Sequence, residues 1–364
     1  MEINEKKVAI ITIYDPNPNY GNRIQNYATQ TVLEKMGCNV STISFERKLF
    51  TGKHRLKYYI HIVTGFRLAK SKLQWKTLRM RTKSFYKFNR RYIKSYHIKK
   101  LANIKPVDYY VIGSDQVWNP QWYDNCALKK DMFLLTFAPP EKKICFAPSF
   151  GVEKLPKEWE AWFQENLKTF PGISVREEAG AKIVKELTGK KAEVLIDPTL
   201  MLNGKEWEKI SQKPKAFKDN DYILTYFLGK RTEKVETDLK RISEEYHCQV
   251  HHILDEQDEL LCAADPSEFL WLIENAKVIL TDSFHACVFS FIFNRPFLVY
   301  ERAGADCNMM SRIYTLLTKF DLERKYVDSG LENDIMECNY QEGKKILVSE
   351  QKKVYEFLKQ SMDI

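Results

Sequence analysis

Four apolar, strand-like runs in this chain each end in a short polar motif, and this pairing constrains the fold more than any other feature. The motifs occupy residues 113–120, 176–178, 197–199 and 281–285. In parallel α/β sheets, ligands bind beyond the carboxyl ends of the strands, where such motifs would lie. A single motif is explained equally well by a turn or a helix cap, because Asp and Ser favour both places. Four together favour a binding or catalytic site on an α/β scaffold.

The order of apolar runs predicts two Rossmann-like, doubly wound α/β domains that face a cleft. A chain of 364 residues, 44% of them hydrophobic, is long enough for two domains with their own cores. We expect the first domain over 1–202 and the second over 221–340, joined by a polar linker at 202–221, and a C-terminal helix over 341–364 that packs back. First-domain strands are predicted at 8–14, 38–43, 109–112, 133–137, 144–147, 173–175 and 194–196. Second-domain strands are predicted at 222–228, 249–254, 278–280 and 296–300.

A strongly basic segment interrupts the first domain. Residues 47–107 hold 19 Lys and Arg and no Asp or Glu, whereas the whole chain has 57 basic and 48 acidic residues. The segment is rich in aromatic residues and shows helical periodicity, which predicts a basic helical insertion over 47–105. Such helices bind anionic lipid surfaces, and we assign this role to Trp75, Arg79, Arg81 and Lys83. A solvated helical face is the ordinary alternative, and nucleic-acid binding is a third that no recognised motif accompanies.

The sequence favours a cytoplasmic protein without a metal centre. The apolar stretch at 8–11 is too short and too acidic in its lead for a signal peptide, and no run approaches the ~18 apolar residues of a membrane span. The eight cysteines are scattered without a CxxC pair, as expected of free thiols in a reducing compartment. His251 and His252, near Cys248 and Asp255, are the one candidate metal cluster, and they lack a helical i, i+4 ligand spacing.

Polar residues after the early strands of the first domain could contact a sugar. Asn22, Gln25 and Asn26 begin the first helix, where their amides could bind hydroxyl groups, although a capped helix with surface amides explains them equally well. Asp115 could accept a proton. Trp118 could offer a flat apolar face to a sugar ring, with burial in the core as the rival interpretation.

Arg176 and His285 are the strongest candidates for anion binding and proton transfer. The Arg176 guanidinium could form a bidentate pair with a carboxylate or phosphate, but a structural ion pair is as reasonable. His285 begins an otherwise apolar helix, whose dipole would lower the pKa of the imidazole and suit proton transfer near neutrality. A lone histidine is more often structural, yet its position after residues 281–283 favours function, with Asp282 as a possible orienting partner.

Taken together, the motifs resemble the polysaccharide pyruvyl transferase family. The matching segments are NYGNRIQNYA at 19–28, GSDQVWNP at 113–120, SVRE at 174–177, DPTL at 197–200, TDSFH at 281–285, FNRPF at 293–297 and SRI at 311–313. The resemblance covers most of the chain and implies a two-domain fold like that of GT-B glycosyltransferases. It also implies transfer of pyruvate from phosphoenolpyruvate to sugar hydroxyls as a ketal, and it places Arg176 and His285 among donor-contacting residues.

The implied chemistry can be assigned to residues of this chain. His285 would protonate the methylene of phosphoenolpyruvate, and Asp115 would deprotonate the attacking sugar hydroxyl. Arg176 and the helix start at Asp282 and Ser283 would bind the donor anions. Some members carry Arg where this chain has Ser283, and Arg312 or Arg302 could supply that cation instead; we favour Arg312. No metal or cofactor is expected, with phosphoenolpyruvate as co-substrate.

The acceptor implied by the resemblance is a saccharide of a bacterial surface polysaccharide, such as a capsule or exopolysaccharide, carried on a lipid at the inner face of the membrane. The basic segment would then make the protein peripheral there. Two other functions fit the residues. One is a nucleotide-sugar-dependent glycosyltransferase of the same architecture, and the other is a non-catalytic protein that binds saccharide or nucleic acid.

Overall fold

The computed structural model describes residues 5–14, 18–45, 72–123, 128–215, 217–255, 259–304, 310–330 and 334–364, without the side chains of 72–75, 259 and 260. None of the helices in these ranges has the length and apolar character needed to cross a membrane. The chain folds into two parallel α/β units, each with its own sheet.

Five parallel strands form the first sheet, in the order β3-β2-β1-β4-β5. They are β1 (Lys7–Ile11), β2 (Asn39–Ser44), β3 (Ser95–His97), β4 (Tyr109–Gly113) and β5 (Lys143–Phe146). In register, Ile10 of β1 lies opposite Thr42 on one side and Val111 on the other. The strand order reverses between β1 and β4, and this reversal creates a crevice at the carboxyl ends where ligands bind in doubly wound folds.

Helices and a short strand pair complete the first domain. The helices are α1 (Tyr20–Lys35), α2 (Lys72–Tyr92), α3 (Lys129–Phe133), α4 (Lys157–Leu167) and α5 (Glu178–Thr188). A parallel pair, β6 (Ser174–Val175) and β7 (Glu193–Val194), lies next to β5, and the Ser174 hydroxyl donates to the Cys145 carbonyl at 2.9 Å. Single 3₁₀ turns occur at Leu101–Asn103, Pro120–Trp122, Pro140–Lys142 and Pro198–Met201.

The second sheet has four parallel strands in the order β11-β10-β8-β9. They are β8 (Tyr222–Tyr226), β9 (Gln249–Ile253), β10 (Val278–Thr281) and β11 (Phe297–Val299). The remaining helices are α6 (Gly204–Glu208), α7 (Glu233–Tyr246), α8 (Glu259–Cys262), α9 (Pro266–Asn275), α10 (Phe284–Ile292), α11 (Ser311–Lys319) and α12 (Gln341–Met362), with a 3₁₀ turn at Glu323–Lys325. The predicted fold class of two Rossmann-like α/β units, each with a parallel sheet, is confirmed.

The two units are joined by a buried aromatic contact. Tyr20, at the start of α1, stacks on Phe269 of α9 with ring centroids 4.4 Å apart, and its hydroxyl donates to the Ala264 carbonyl at 2.9 Å. The last helix, α12, returns to the first domain. There the Tyr109 hydroxyl donates to the Met362 carbonyl at 2.7 Å.

Three predictions about the elements need correction. Residues 133–137 are the end of α3 and the turns after it, because a short buried apolar run does not by itself distinguish a strand from a helix. The linker at 202–221 contains α6, whose Trp207 is fully buried. The basic segment is not an insertion where the structure describes it: α2 connects β2 to β3, and β3 pairs with β2 in the first sheet. Residues 46–71 lie outside the described ranges.

Candidate functional site

A buried carboxylate, Asp197, is the centre of a polar cluster between the two domains. It is 1% exposed and follows β7 at the start of the 3₁₀ turn Pro198–Met201. Oδ1 accepts from the Thr199 hydroxyl at 2.7 Å, and Oδ2 accepts from the Ser114 hydroxyl at 2.6 Å. Burial alone would raise the pKa of Asp197, but Arg176, His285 and these hydrogen bonds lower it to about 2. Asp197 is therefore ionised at neutral pH.

Arg176 is held at the end of β6 by two contacts. Its Nη1 donates to Asp197 Oδ2 at 2.7 Å, and its guanidinium carbon lies 4.8 Å from the centre of the Phe284 ring. The side chain is buried, and Nε and Nη2 have no hydrogen-bond partner among the described residues. Nε and Nη2 form one edge of the guanidinium, which matches the two oxygens of a carboxylate or phosphate. The predicted structural ion pair thus exists, and it leaves a bidentate edge for a ligand.

His285 lies in the first turn of α10, which follows β10 of the second sheet. Its Nε2 is buried without a hydrogen-bond partner in the described part of the chain and lies 4.0 Å from Asp197 Oδ1. Burial lowers the pKa of His285, and although Asp197 raises it, Arg176 lowers it further, to about 4. The imidazole is therefore neutral at pH 7. The predicted direction of this shift is right, but burial is its largest cause.

Gly21 allows α1 to approach His285. A Cβ atom at position 21 would lie 2.3 Å from His285 Nδ1, closer than real contacts allow. Only glycine lacks this atom, so the first turn of α1 can lie against the imidazole. The ends of both sheets therefore meet at one point, with Gly21 from the first domain and His285 from the second.

A second buried arginine, Arg312 of α11, belongs to the same cluster. It is 8% exposed, and its Nε has no hydrogen-bond partner among the described atoms. Burial lowers the pKa of Arg312, and Arg176 lowers it further against the opposing effects of Glu177 and Asp115, to about 10. Two buried cations that repel each other create a site for an anion, because a bound anion would relieve both desolvation and repulsion.

Two carboxylates of the first domain border this pair of arginines. Asp115, just after β4, has a left-handed backbone with φ of 70°, and its Oδ2 is buried without a hydrogen-bond partner in the described structure. A positive φ is uncommon at a non-glycine residue, although Asp adopts it more readily than most. Glu177 Oε1 accepts from the Phe150 amide at 2.8 Å and the Ser149 hydroxyl at 3.0 Å. Both carboxylates raise the pKa of Arg312 and so lie within its electrostatic reach.

The motif resemblance is supported by comparison with known families. A family model described as polysaccharide pyruvyl transferase matches residues 19–303, more than half of the chain. The chain belongs to the polysaccharide pyruvyl transferase family. This match begins in the loop before α1 and ends beyond β11, so it includes Arg176, Asp197 and His285. No curated protein sequence matches the chain.

Solved structures of similar fold share little sequence with this pyruvyl transferase family member. UDP-GlcNAc 2-epimerase from Neisseria meningitidis has a TM-score of 0.45 and 11% identity, with 97% of this chain and 100% of that chain covered. A glycosyltransferase from Rickettsia africae ESF-5 has a TM-score of 0.43 and 10% identity, with coverages of 98% and 99%. UDP-GlcNAc 2-epimerase from Methanocaldococcus jannaschii has a TM-score of 0.42 and 14% identity, with coverages of 94% and 99%.

The structure brings some of the predicted site residues together and separates others. Arg176, His285, Arg312 and Asp115 form one cluster, and Ser283 lies directly before α10 with its amide donating to the Thr281 hydroxyl at 3.0 Å.

Asp282 does not orient His285, contrary to the prediction. Its carboxylate accepts from the amides of Leu228 at 2.7 Å and Gly229 at 2.8 Å, and it pairs with Arg302 at 3.4 Å. The carboxylate next to His285 is Asp197, from a motif that was recognised in the sequence without a role assigned to it. Arg302 is engaged by Asp282, which leaves Arg312 as the second cation of the site.

The predicted acceptor residues are mostly buried. Trp118 is 0% exposed and its indole donates to the Phe133 carbonyl at 2.9 Å, so no face is left for a sugar and the core interpretation replaces the functional one. Gln25 donates to the Thr12 hydroxyl at 2.6 Å, and Asn26 accepts from the Thr42 hydroxyl at 2.8 Å. These amides face the first sheet and are not surface amides. Asn22 is 8% exposed. Its backbone N–H donates to the Asn19 side-chain oxygen at 3.2 Å in the helix cap.

The basic residues of α2 divide between two faces. Arg79 and Lys83 are exposed. Arg81 is half-buried: it donates to the Pro18 carbonyl at 3.1 Å and lies over the Tyr20 ring at 4.9 Å, so its predicted role at a membrane surface is corrected to one in packing. The Trp75 side chain lies outside the described part of the chain.

The two candidate metal-binding histidines have protein partners. His251 Nε2 lies 2.6 Å from an Asp219 carboxylate oxygen, and His252 Nδ1 lies 2.6 Å from the Thr225 hydroxyl. Over the described ranges, no group of three or more His, Cys, Asp or Glu side chains is placed to hold a metal ion.

Proposed function

We propose that this family member transfers pyruvate from phosphoenolpyruvate to two hydroxyls of one sugar and forms a pyruvate ketal. The observation that carries this proposal is the unpaired Nε–Nη2 edge of buried Arg176, next to a second buried arginine and a buried imidazole. Phosphoenolpyruvate carries its carboxylate and its phosphate ester on the same carbon. Two neighbouring buried guanidinium groups suit such a ligand better than a neutral sugar.

The reaction can be written with the residues of the cluster. His285 gives a proton to the methylene carbon, which becomes the methyl group, while a sugar hydroxyl forms a C–O bond to the central carbon and loses its proton to Asp115. The phosphate then leaves with the electron pair of its C–O bond. A second hydroxyl attacks the same carbon, and its proton goes to the phosphate. Pyruvate ketal and inorganic phosphate are the products, and Arg176 and Arg312 stabilise the negative charge of the departing phosphate.

We infer further that the acceptor is lipid-linked and that the protein binds an anionic membrane through α2. Lys76, Arg79, Lys83, Lys87 and Arg90 follow one another at intervals of three or four residues, which places them on one face of α2. All five are exposed, and α2 contains no acidic residue. Tyr86 on the same face is 60% exposed. Cations with an exposed aromatic side chain are suited to a headgroup region.

Donor binding is tested by thermal unfolding with and without phosphoenolpyruvate. A ligand at about 100 times its dissociation constant stabilises the native state by about 2.7 kcal/mol, so the midpoint should rise clearly in the wild-type protein. Arg176→Lys keeps a charge for Asp197 but loses the bidentate edge, and this variant should lose most of the shift. Arg312→Gln should also lose most of the rise in the unfolding midpoint.

Arg295→Lys is the matched control, because Arg295 lies on the turn before β11, outside the cluster, and this variant should retain the full shift. A wild-type protein that is stabilised by a nucleotide sugar and not by phosphoenolpyruvate would overturn the proposed donor.

A further inference from the structure

The imidazole of His285 lies in surroundings that disfavour a positive charge on the ring. Its Nε2 has no hydrogen-bond partner among the described residues, and the nearest carboxylate oxygen, on Asp197, is 4.0 Å away. That distance is too long for a hydrogen bond, but a small shift would close it. Meanwhile Asp197 is already paired with Arg176 at 2.7 Å. Arg176 therefore already offsets the negative charge of Asp197 through Oδ2, while His285 faces the other oxygen, Oδ1.

Four charged groups act on His285, and each comes from a different part of the fold. Asp197 follows β7, Arg176 ends β6, Asp115 follows β4, and Arg312 lies on α11. The carboxylates favour the charged imidazole and the arginines oppose it. Burial is the largest influence and lowers the pKa of His285, so these influences together favour the neutral imidazole. This conflicts with the role of a proton donor, which must hold two ring protons before it acts.

Binding of an anionic donor would favour the charged form of the His285 imidazole instead. Its carboxylate and phosphate would neutralise Arg176 and Arg312, the two groups that oppose a charge on His285. Asp197 would then be available to the imidazole without competition from an unneutralised guanidinium.

We propose that binding of the anionic donor causes His285 to take up a proton from solvent, and that Asp197 is the positioning residue that holds the resulting imidazolium. This inference rests on the proposed function. With Nε2–H directed to Asp197, the proton on Nδ1 is the one given to the donor. Nδ1 is the ring nitrogen turned away from Asp197, and it lies so close to the α1 backbone at Gly21 that a side chain at position 21 would collide with the ring. The acid thus forms only when the donor is present.

The proposal is tested by isothermal titration of the whole protein with phosphoenolpyruvate in two buffers of different ionisation enthalpy. The titration is carried out at about pH 7.5, which is above the second phosphate pKa of about 6, so the ligand itself takes up few protons. We expect the wild-type protein to take up about one proton per bound donor, because a group that gains a proton on binding couples affinity to pH. Over this range the dissociation constant should rise about tenfold for each unit of pH.

Substitutions test which residue takes up the proton and what Asp197 contributes to that uptake. His285→Gln should bind the donor without proton uptake. Asp197→Asn should bind it with reduced uptake and a weaker dependence of affinity on pH. Glu350→Gln is the control, because Glu350 is also a buried carboxylate, paired with Lys319 at 2.8 Å, and it lies outside the cluster. This variant should retain the wild-type uptake.

Histidine ¹⁵N spectra of the wild-type protein give a second readout that needs no substitution at Asp197. His285 should change from a neutral to a doubly protonated ring when the donor is added. Donor binding without proton uptake, or a ring that stays neutral, would overturn this inference alone. Absence of donor binding would overturn the proposed function and this inference with it.

Discussion

At the scale of the residue, the cluster contains two buried titratable groups with opposite responses to their surroundings. Asp197 is surrounded by donors and cations, so its pKa is lowered to about 2 and it stays ionised. His285 has no hydrogen-bond partner at Nε2 within the described structure, and burial lowers its pKa to about 4. Groups whose pKa values are moved in this way by burial and by specific charges are typical of functional sites. The same shifts affect the stability of the protein.

The neutral state of His285 predicts a loss of stability in mild acid. Between pH 6.5, the ordinary pKa of histidine, and about 4, the unfolded chain binds a proton at this position that the native protein does not. The free energy of unfolding should therefore fall as the pH falls through this window, by up to about 3 kcal/mol. Asp197 adds its own loss only from about pH 5 downward, where the unfolded carboxylate, with its ordinary pKa of 3.8, begins to bind a proton that the native carboxylate does not. Urea unfolding from pH 7 to 4.5 measures the effect, with the wild-type protein compared with His285→Gln.

The variant should lose stability less steeply than the wild-type protein as the pH falls. From pH 7 to 8 the two stabilities should run in parallel, which serves as the control. Equal slopes below pH 6.5 would show that His285 is not buried in its neutral form.

At the scale of the element, α2 has two faces with different roles. One face is buried: Phe85 and Phe88 lie in the core, and the Ser84 hydroxyl donates to the Ala263 carbonyl of the second domain at 2.7 Å. The other face carries the five exposed cations Lys76, Arg79, Lys83, Lys87 and Arg90. Like charges at i, i+4 destabilise a helix, so this arrangement has a cost that packing of the opposite face offsets. An anionic surface would remove the repulsion.

Removing cations from α2 should weaken binding to anionic vesicles. Each Lys or Arg near such a surface contributes about 1 kcal/mol, so Lys83→Gln, Lys87→Gln and Arg90→Gln together should reduce the vesicle partition coefficient by about two orders of magnitude. Co-sedimentation with vesicles that contain phosphatidylglycerol measures this at low salt.

The matched control removes three exposed lysines of α12 by Lys345→Gln, Lys352→Gln and Lys359→Gln, which changes the net charge equally. This variant should bind nearly as well as the wild-type protein. Equal losses in both triple variants would point to net charge alone, without a role for the face of α2.

At the scale of the whole molecule, the site exists only because the two domains are held together. Asp197, Arg176 and Asp115 come from the first domain, and His285 and Arg312 from the second. Tyr20 is the main aromatic contact between them, since its ring stacks on Phe269 and meets Tyr226 at 5.6 Å. The contact is next to Gly21, so the residues that join the domains also bring α1 to the imidazole.

Truncation of Tyr20 should uncouple the domains. Removal of a large buried aromatic side chain costs about 3–5 kcal/mol, and here that loss falls on the interface. We expect Tyr20→Ala to unfold in two separate steps in urea and to bind phosphoenolpyruvate more weakly. Tyr20→Phe keeps the stacked ring and loses only the hydrogen bond to Ala264, which is worth about 1 kcal/mol. This control should unfold in the same manner as the wild-type protein. A single transition at an unchanged midpoint in Tyr20→Ala would contradict the role assigned to this contact.

Local patterns in the sequence were sufficient to predict most of the elements. Strands β1, β4, β8 and β10 were predicted because parallel strands buried on both faces appear as short apolar runs, and β4 and β10 are each followed by one of the four polar motifs. The error at residues 133–137 has the same origin, since a buried helix and its turns can show an equally apolar run. The prediction of an insertion over 47–105 was wrong because the many charged residues of this segment obscure, in the sequence, the apolar face by which α2 packs in the core.

Within the site, local sequence patterns predict which residue types follow which strands: Arg176, Asp197 and His285 are in place because parallel strands present their carboxyl-end residues at one edge of each sheet. The partners of these residues depend on how the two domains pack together. Asp282 adjoins His285 in sequence, yet its carboxylate binds the backbone after β8, whereas Asp197 of the other domain lies beside the imidazole. Such a pairing depends on how two separately folded sheets dock, and docking is set by packed surfaces such as that of Tyr20, which no local pattern encodes.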